Sequence, residues 1–358
     1  MSQNLEQRQG PANDNDWYDD ADLLPERPPS EPAAEAALEE VQVAAQWAAD
    51  DKSADYRHLG QALDSQAFDF TAQHLKSLCE ANRFNVDGGQ DEVLFGLRGC
   101  KLAPGTTNDF ANSVRLMEDK PDHFDFHCVL GVWKRSTSQL CVFRASTVPN
   151  RRHMRRQMNS SNGQLCNMLP TGRYSYTVGR HRAVRGAFIQ QPKVVVQRTK
   201  EDLTYETTDF YERHDPADNI HPAFSDSDAK FSSAGCMTVP GNWTSNGGHQ
   251  GSWATFRQRA GLSADNESHM GDRFIYVLLT GREARLVATG TSAATLARLR
   301  FGSVGAEVTQ LQQALQNGGF DPNGIDTTMG PGTVMALIRR QQAQAGNAAD
   351  GICPPPFA

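Results

Sequence analysis

The chain has 358 residues, 38% of them hydrophobic, and a formal net charge of −7. That length exceeds one typical core and predicts two or three domains, while the modest apolar content predicts that part of the chain lies outside any core. Residues 1–58 hold fourteen acidic against four basic residues, so the remainder is close to neutral and no basic face of the kind a nucleic-acid protein presents is expected.

In chain order, residues 1–32 read as an acidic, proline-containing flexible tail, with PERPPSEP near its end. The opening twenty residues have neither the basic start nor the apolar stretch of a signal peptide. Synthesis in the cytoplasm is therefore expected, with any work on the cell wall requiring a non-classical delivery route. No apolar run approaches the ~20 residues of a membrane span. A helical region is predicted over 33–91: Ser30 caps a helix through AAEAALEEVQVAAQWAA, and a second runs over 65–83 with Phe68, Ala72, Leu75 and Cys79 on one face.

From residue 92 to 281 short β-branched and aromatic runs alternate with turn residues, predicting a mainly β domain. FHCVLGVWKR and QLCVFRAST form a predicted hairpin; LPTGRYSYTVG, PKVVVQRT, DLTYETTDFYE and RFIYVLLTG supply further strands, and SWATFRQRAGL a helix. Residues 282–300 read as a linker or a short helix. In 301–353, Val308, Leu311 and Leu315 make one apolar helical face, and Val334, Leu337 and Ile338 another after Pro331 at a first turn.

This last segment resembles the small three-helix peptidoglycan-binding domain carried by many cell-wall enzymes. The matching features are V-x-x-L-Q-x-x-L from Val308, Gly319, the G-I-D step at 324–326, G-P-x-T at 330–333 and the closing A-D-G-I. The resemblance implies peptidoglycan as partner.

Seven scattered cysteines without a CxxC pair argue against a disulfide framework or zinc ribbon, and no cofactor or metal is expected. Cys236 stands apart from the others because Ser232, Ser233, Ala234 and Gly235 precede it and a Pro-Gly turn soon follows. Small residues let a backbone approach a substrate closely, and the amides of Gly235 and Cys236 are the expected donors to a developing oxyanion. His221, placed at a strand end by Asn219-Ile220 and followed by Pro222, is the preferred general base; His181 in VGRHR is the second choice. Ser233 is a supporting residue and Asn219 a possible orienter of His221. Arg182, His181 and Trp243 are substrate-groove candidates, whereas Trp253 reads more simply as core.

Residues 124–281 resemble the L,D-transpeptidase (YkuD-like) catalytic domain. The resemblance rests on Asn219-Ile220-His221, on Ser233-Ala234-Gly235-Cys236, and on FRASTVPN, LPTGRYSYTVGRH and GAFIQ upstream. Ala234 stands where that family has a histidine, and Pro222 where it has a glycine. The resemblance implies an α+β multidomain enzyme in which Cys236 attacks a stem-peptide carbonyl and forms a thioester. An amine acceptor then gives a cross-link or D-amino acid exchange, and water gives carboxypeptidase or endopeptidase cleavage. A phage lysis or tail protein, or a secreted effector meeting its delivery partner through the N-terminal region, fits that reading. Two alternatives remain: an inactive wall-binding structural component, and a zinc peptidase using His214, His221 and His249, which has no HExxH motif.

Overall fold

The structure is a computed structural model that describes residues 53–60, 63–158, 166–191, 193–199, 204–224, 231–246, 248–263, 267–346 and 348–357. The acidic tail and the helix expected after Ser30 lie outside these residues. The architecture is mixed α+β, with a sheet-rich middle and a helical C-terminal region.

The segment expected as one helix over 65–83 divides at Thr71. Phe68 and Phe70 are buried while their neighbours are not, and this period of two makes β1 (Ala67–Thr71) a strand. Thr71 then caps α1 (Ala72–Ala81): its hydroxyl accepts the His74 N–H at 3.3 Å, and His74 Nδ1 accepts the Thr71 N–H at 3.3 Å. Leu75, Leu78 and Cys79 face inward from that helix.

Next come β2 (Glu92–Arg98), β3 (Cys100–Leu102), β4 (Ser113–Glu118), β5 (Cys128–Lys134), β6 (Gln139–Ala145) and α2 (Arg151–Met158). They are followed by β7 (Asn167–Met168), β8 (Gly172–His181), β9 (Val184–Gln190), β10 (Val194–Arg198), β11 (Phe210–His214), β12 (Ile220–Pro222) and β13 (Met237–Val239). The middle region ends with β14 (Asn242–Thr244), β15 (Gly248–Gln250), α3 (Gly251–Arg259) and β16 (Arg273–Thr280). The hairpin expected from FHCVLGVWKR and QLCVFRAST is the antiparallel pair β5–β6, with Cys128 opposite Ala145 and Lys134 opposite Gln139. Among the described residues of DLTYETTDFYE, the end enters a strand, β11.

Eight strands form the main sheet in the order β13-β12-β9-β8-β16-β2-β5-β6. Its interior strand β16 is apolar on both faces: Ile275, Val277 and Leu279 enter one core, and Phe274, Tyr276 and Leu278 the other. The first core also takes in α1 and α4 (Gly281–Ala288); the second takes in Trp253 and Phe256 of α3. The sheet curls until its end strands meet, because Ser146 just after β6 and Thr238 of β13 exchange both backbone hydrogen bonds at 2.9 Å. Cys236 lies at this seam.

The stretch read as a linker or short helix is helical over Gly281–Ala288, and its polar side chains point into the protein. Arg282 and Arg285 bind the two carboxylate oxygens of buried Glu118, at 2.7 and 2.5 Å. Glu283, wholly buried, accepts Arg300 Nη2 at 2.7 Å. The C-terminal region thus begins on a buried ion pair.

Among the described residues that region holds two α-helices, α5 (Ala306–Asn317) and α6 (Pro331–Gln344), where a bundle of three was expected. After α6, Cys353 pairs with Leu299 through reciprocal backbone hydrogen bonds of 2.8 and 2.9 Å. The apolar faces expected on both helices are buried against one another, and Val195 of β10 and Tyr211 of β11 join the same cluster.

Candidate functional site

Short parallel pairing between β12 and β13 positions the candidate nucleophile. Ile220 lies opposite Met237 and His221 opposite Thr238, so Cys236, one residue before β13, comes level with Asn219. Alternation along a strand then turns Asn219, His221 and Cys236 toward one face. His181, at the end of β8, completes the group: one ring nitrogen of each histidine and Cys236 Sγ all lie within 4.8 Å of one another.

The turn before Cys236 is held by Ser233, whose hydroxyl accepts the Gly235 N–H at 3.0 Å and donates to the Cys236 carbonyl at 2.6 Å. The amide of Gly235, an expected oxyanion donor, is thus engaged by Ser233 in this structure. Glycine is required there on steric grounds, since a Cβ on Gly235 would lie 2.3 Å from Asp218 Oδ1 and 2.5 Å from Asn167 Nδ2, at φ +157°. Helix α2 supports the turn from outside, with the Asn150 N–H donating to the Ser233 carbonyl at 2.7 Å and His153 Nε2 2.9 Å from the Ser232 hydroxyl.

Hydrogen-bond polarity fixes both histidine tautomers. His221 Nδ1 is 2.7 Å from the Pro222 carbonyl, which only accepts, so Nδ1 carries the proton and Nε2 keeps its lone pair. Asn219 Oδ1 accepts the Gln190 N–H at 2.9 Å, which leaves its amide nitrogen facing His181 Nδ1 at 2.8 Å. His181 Nδ1 is therefore the acceptor, and its proton sits on Nε2. Asn219 orients His181, not His221 as the sequence suggested; a backbone carbonyl orients His221.

Burial, and to a smaller extent the charge of Arg182, lowers the His221 pKa to about 4. Burial and then Asp218 push the Cys236 thiol up to about 12, partly offset by Arg182. The resting pair is thus a neutral imidazole beside a protonated thiol, whose Sγ lies 3.5 Å from the Ala217 carbonyl. A base with a free lone pair next to a thiol is suited to taking the proton as the sulfur attacks. The two imidazoles stack at 4.5 Å between centroids with 7° between planes. Metal ligation needs an in-plane lone pair from each ring, and parallel stacked rings cannot both aim one at a single ion about 2.0 Å away.

Behind Cys236 lies Asp218, buried and held by Asn167 Nδ2, which is 2.5 Å from both carboxylate oxygens. Burial raises its pKa to about 8. Neither residue was anticipated, because a lone Asp or Asn carries no local signal of what the fold brings beside it. Of the groove candidates, Arg182 is close enough to act electrostatically on His221 and Cys236. Trp243 is half-buried on the β14–β15 hairpin opposite His249. Trp253 is core, edge-on to Phe188. The alternative zinc set is not assembled: His249 Nδ1 accepts Trp253 Nε1–H at 2.7 Å, His214 is exposed, and among the described residues His221 clusters only with His181 and Cys236.

In the C-terminal region the spacings noted in the sequence close into hydrogen-bonded hubs. Gln312, 1% exposed, donates to Asp326 Oδ1 at 2.9 Å and Thr333 Oγ1 at 3.0 Å, while its Oε1 accepts the Asp326 N–H at 2.8 Å. Gln341 repeats the device on the terminal Asp-Gly turn, donating to Asp350 at 2.7 Å and accepting the amide of Gly351 at 3.0 Å. The sequence of residues 304–353 matches the family model of a peptidoglycan binding domain. This segment is a peptidoglycan-binding domain. No curated protein and no solved structure matches the chain. The peptidoglycan-binding domain is tied to the rest of the chain by Arg83 Nε and Glu307 at 3.0 Å and by Tyr211 OH and the Ala349 carbonyl at 3.2 Å, and Phe301, just before it, stacks on Tyr174.

Proposed function

We propose that the protein is a cysteine-dependent enzyme of peptidoglycan stem peptides, held on its substrate by the peptidoglycan-binding domain. The observation that carries this reading is the Cys236–His221–His181 group at the seam of the sheet, in a chain that also binds the wall. His221 Nε2 takes the Cys236 proton, the sulfur bonds to the stem-peptide carbonyl, and the tetrahedral oxyanion forms beside the Cys236 amide. Collapse to the thioester expels the terminal D-amino acid, whose nitrogen receives the proton from His221. An amine acceptor then yields L,D-transpeptidation or exchange, and water yields L,D-carboxypeptidase or endopeptidase cleavage. Action on the wall follows delivery out of the cytoplasm, as in a phage lysis protein or secreted effector.

A second reading, a catalytically inactive wall-binding component, is favoured by the thiol's raised pKa of about 12 and by the engaged amide of Gly235. Mass spectrometry of muropeptides with tetrapeptide and pentapeptide stems, incubated with wild-type protein and Cys236→Ala, separates the two. Loss of a residue, exchange or a new cross-link that depends on Cys236 is expected. Unchanged muropeptides with a wall-bound protein would leave the inactive reading standing.

A further inference from the structure

The nucleophile turn lacks one part that an acyl-transfer site needs. Two hydrogen-bond donors normally face the oxyanion. Here the Gly235 N–H is committed to Ser233 Oγ at 3.0 Å, which leaves the Cys236 amide as the donor contributed by the turn. A second donor must come from elsewhere.

His181 meets the requirements. Its Nδ1 is an acceptor, because Asn219 donates to it and the Gln190 N–H holds Asn219 in that orientation, so the proton is on Nε2. His181 is half-buried and reaches the reacting groups from β8, a different element from the turn. Stacking on His221 sets the plane of the ring, and the hydrogen bonds that hold the two rings fall on Nδ1 of each. Burial and the neighbouring His221 and Arg182 hold the His181 pKa well below its ordinary value, so the ring stays a neutral donor.

We infer that His181 donates its Nε2–H to the oxyanion formed when Cys236 attacks an acyl carbonyl, in the place that Gly235 does not fill. The inference rests on the proposed acyl-enzyme reading. In the step, the Sγ–C bond forms as the thiol proton passes to His221 Nε2, and the carbonyl π electrons move onto oxygen. The Cys236 amide and His181 Nε2–H each donate a hydrogen bond to that oxygen. Collapse restores the carbonyl and breaks the bond to the leaving group, and His181 keeps its proton throughout.

Two small reagents test this on the full chain. Acylation by p-nitrophenyl acetate develops an oxyanion, whereas alkylation by iodoacetamide does not; both are scored as the part of the reaction that Cys236→Ala removes. His181→Phe, which retains a stacking ring but no N–H, is expected to slow acylation about 100-fold while leaving alkylation within about 3-fold. His181→Gln, which restores an N–H, is expected to recover at least about 10-fold of the lost acylation rate. Equal effects on the two reactions, no effect on either, or a Gln variant as slow as Phe would overturn the inference and leave the Cys236 nucleophile intact. Absence of any Cys236-dependent modification in the wild type would instead overturn the acyl-enzyme reading, and this inference with it.

Discussion

Glu283→Ala removes a carboxylate that four groups converge on. Glu283 is wholly buried, as is its partner Arg300 at 2.7 Å; the Thr280 amide and hydroxyl donate to it at 3.0 and 2.9 Å, and His58 Nε2 stands 3.9 Å away. Deleting it strands the Arg300 guanidinium without a counter-ion, a loss of about 3–5 kcal/mol in comparable buried pairs. At about 2–3 °C per kcal/mol for a chain of this size, the melting temperature falls by roughly 6–15 °C. Thr280→Ala, which removes the helix cap and one hydroxyl donor to Glu283 but keeps the ion pair, costs about 1 kcal/mol and serves as the reference. The pairing with Arg300 holds the Glu283 pKa below its ordinary value, although burial pulls the other way. Its contribution is therefore present above the unfolded carboxylate pKa of about 4.3 and is lost as pH falls below it, so the gap between wild type and variant narrows in acid. Urea unfolding followed by tryptophan fluorescence at pH 7 measures the gap. A loss below about 1 kcal/mol would show that Arg300 is solvated or paired otherwise, and the argument for a load-carrying ion pair would fail.

Two further outcomes follow from buried polar groups. His123, with Nδ1 at 2.7 Å from the Pro149 carbonyl and its ring stacked on Tyr205, has its pKa pushed down to about 4 by burial. The folded state binds this proton less readily than the unfolded one, so stability is present above about pH 6.5 and is lost as pH falls toward the folded value. Replacing it by Phe keeps the stack and removes the titration; the drop in unfolding free energy between pH 7 and pH 4.5 should shrink by about 2–3 kcal/mol, and an unchanged drop would refute the assignment. Gln312→Ala leaves the Asp326 amide without its acceptor and removes the donor to Thr333 Oγ1. A destabilisation of about 2–3 kcal/mol is expected, read by chemical unfolding, with weaker retention on insoluble peptidoglycan at temperatures where the domain begins to open; unaltered stability would mean that the hub is not built as described.

The sequence conveyed patterns of short range and missed relations that only the fold creates. Val308, Leu311 and Leu315 sit at helical spacing, so their buried face was legible; Gln312, Asp326 and Thr333 were visible as a motif, though not as one hydrogen-bonded hub. The β5–β6 hairpin followed from two apolar runs and the short polar turn between them. The helix expected over 65–83 began too early because Phe68, Ala72, Leu75 and Cys79 satisfy helical spacing while Phe68 and Phe70 also satisfy that of a strand. Residues 282–300 looked like a connection because charged residues usually mark surface; Glu118, more than 160 positions upstream, is what allows Arg282 and Arg285 to be buried. At the candidate site, Cys236 and His221 were named from local context. Their meeting depends on the parallel β12–β13 register, and the placing of Asn219 on His181 depends on a backbone amide of β9.

The seating of the peptidoglycan-binding domain sets the geometry of any work done on the wall. A domain on a loose tether lets its companion search a sphere whose radius is the tether length, and the local substrate concentration depends on that radius. Here Arg300 is locked to Glu283, Phe301 stacks on Tyr174, and Ala349 is hydrogen-bonded to Thr207 and Tyr211. These contacts tie the two parts together directly rather than through a loose tether. On the proposed activity, the protein behaves as a gauge: the stem peptides open to attack are those presented at one span from the anchoring point, and selectivity along the glycan comes from that span before any side chain reads the peptide.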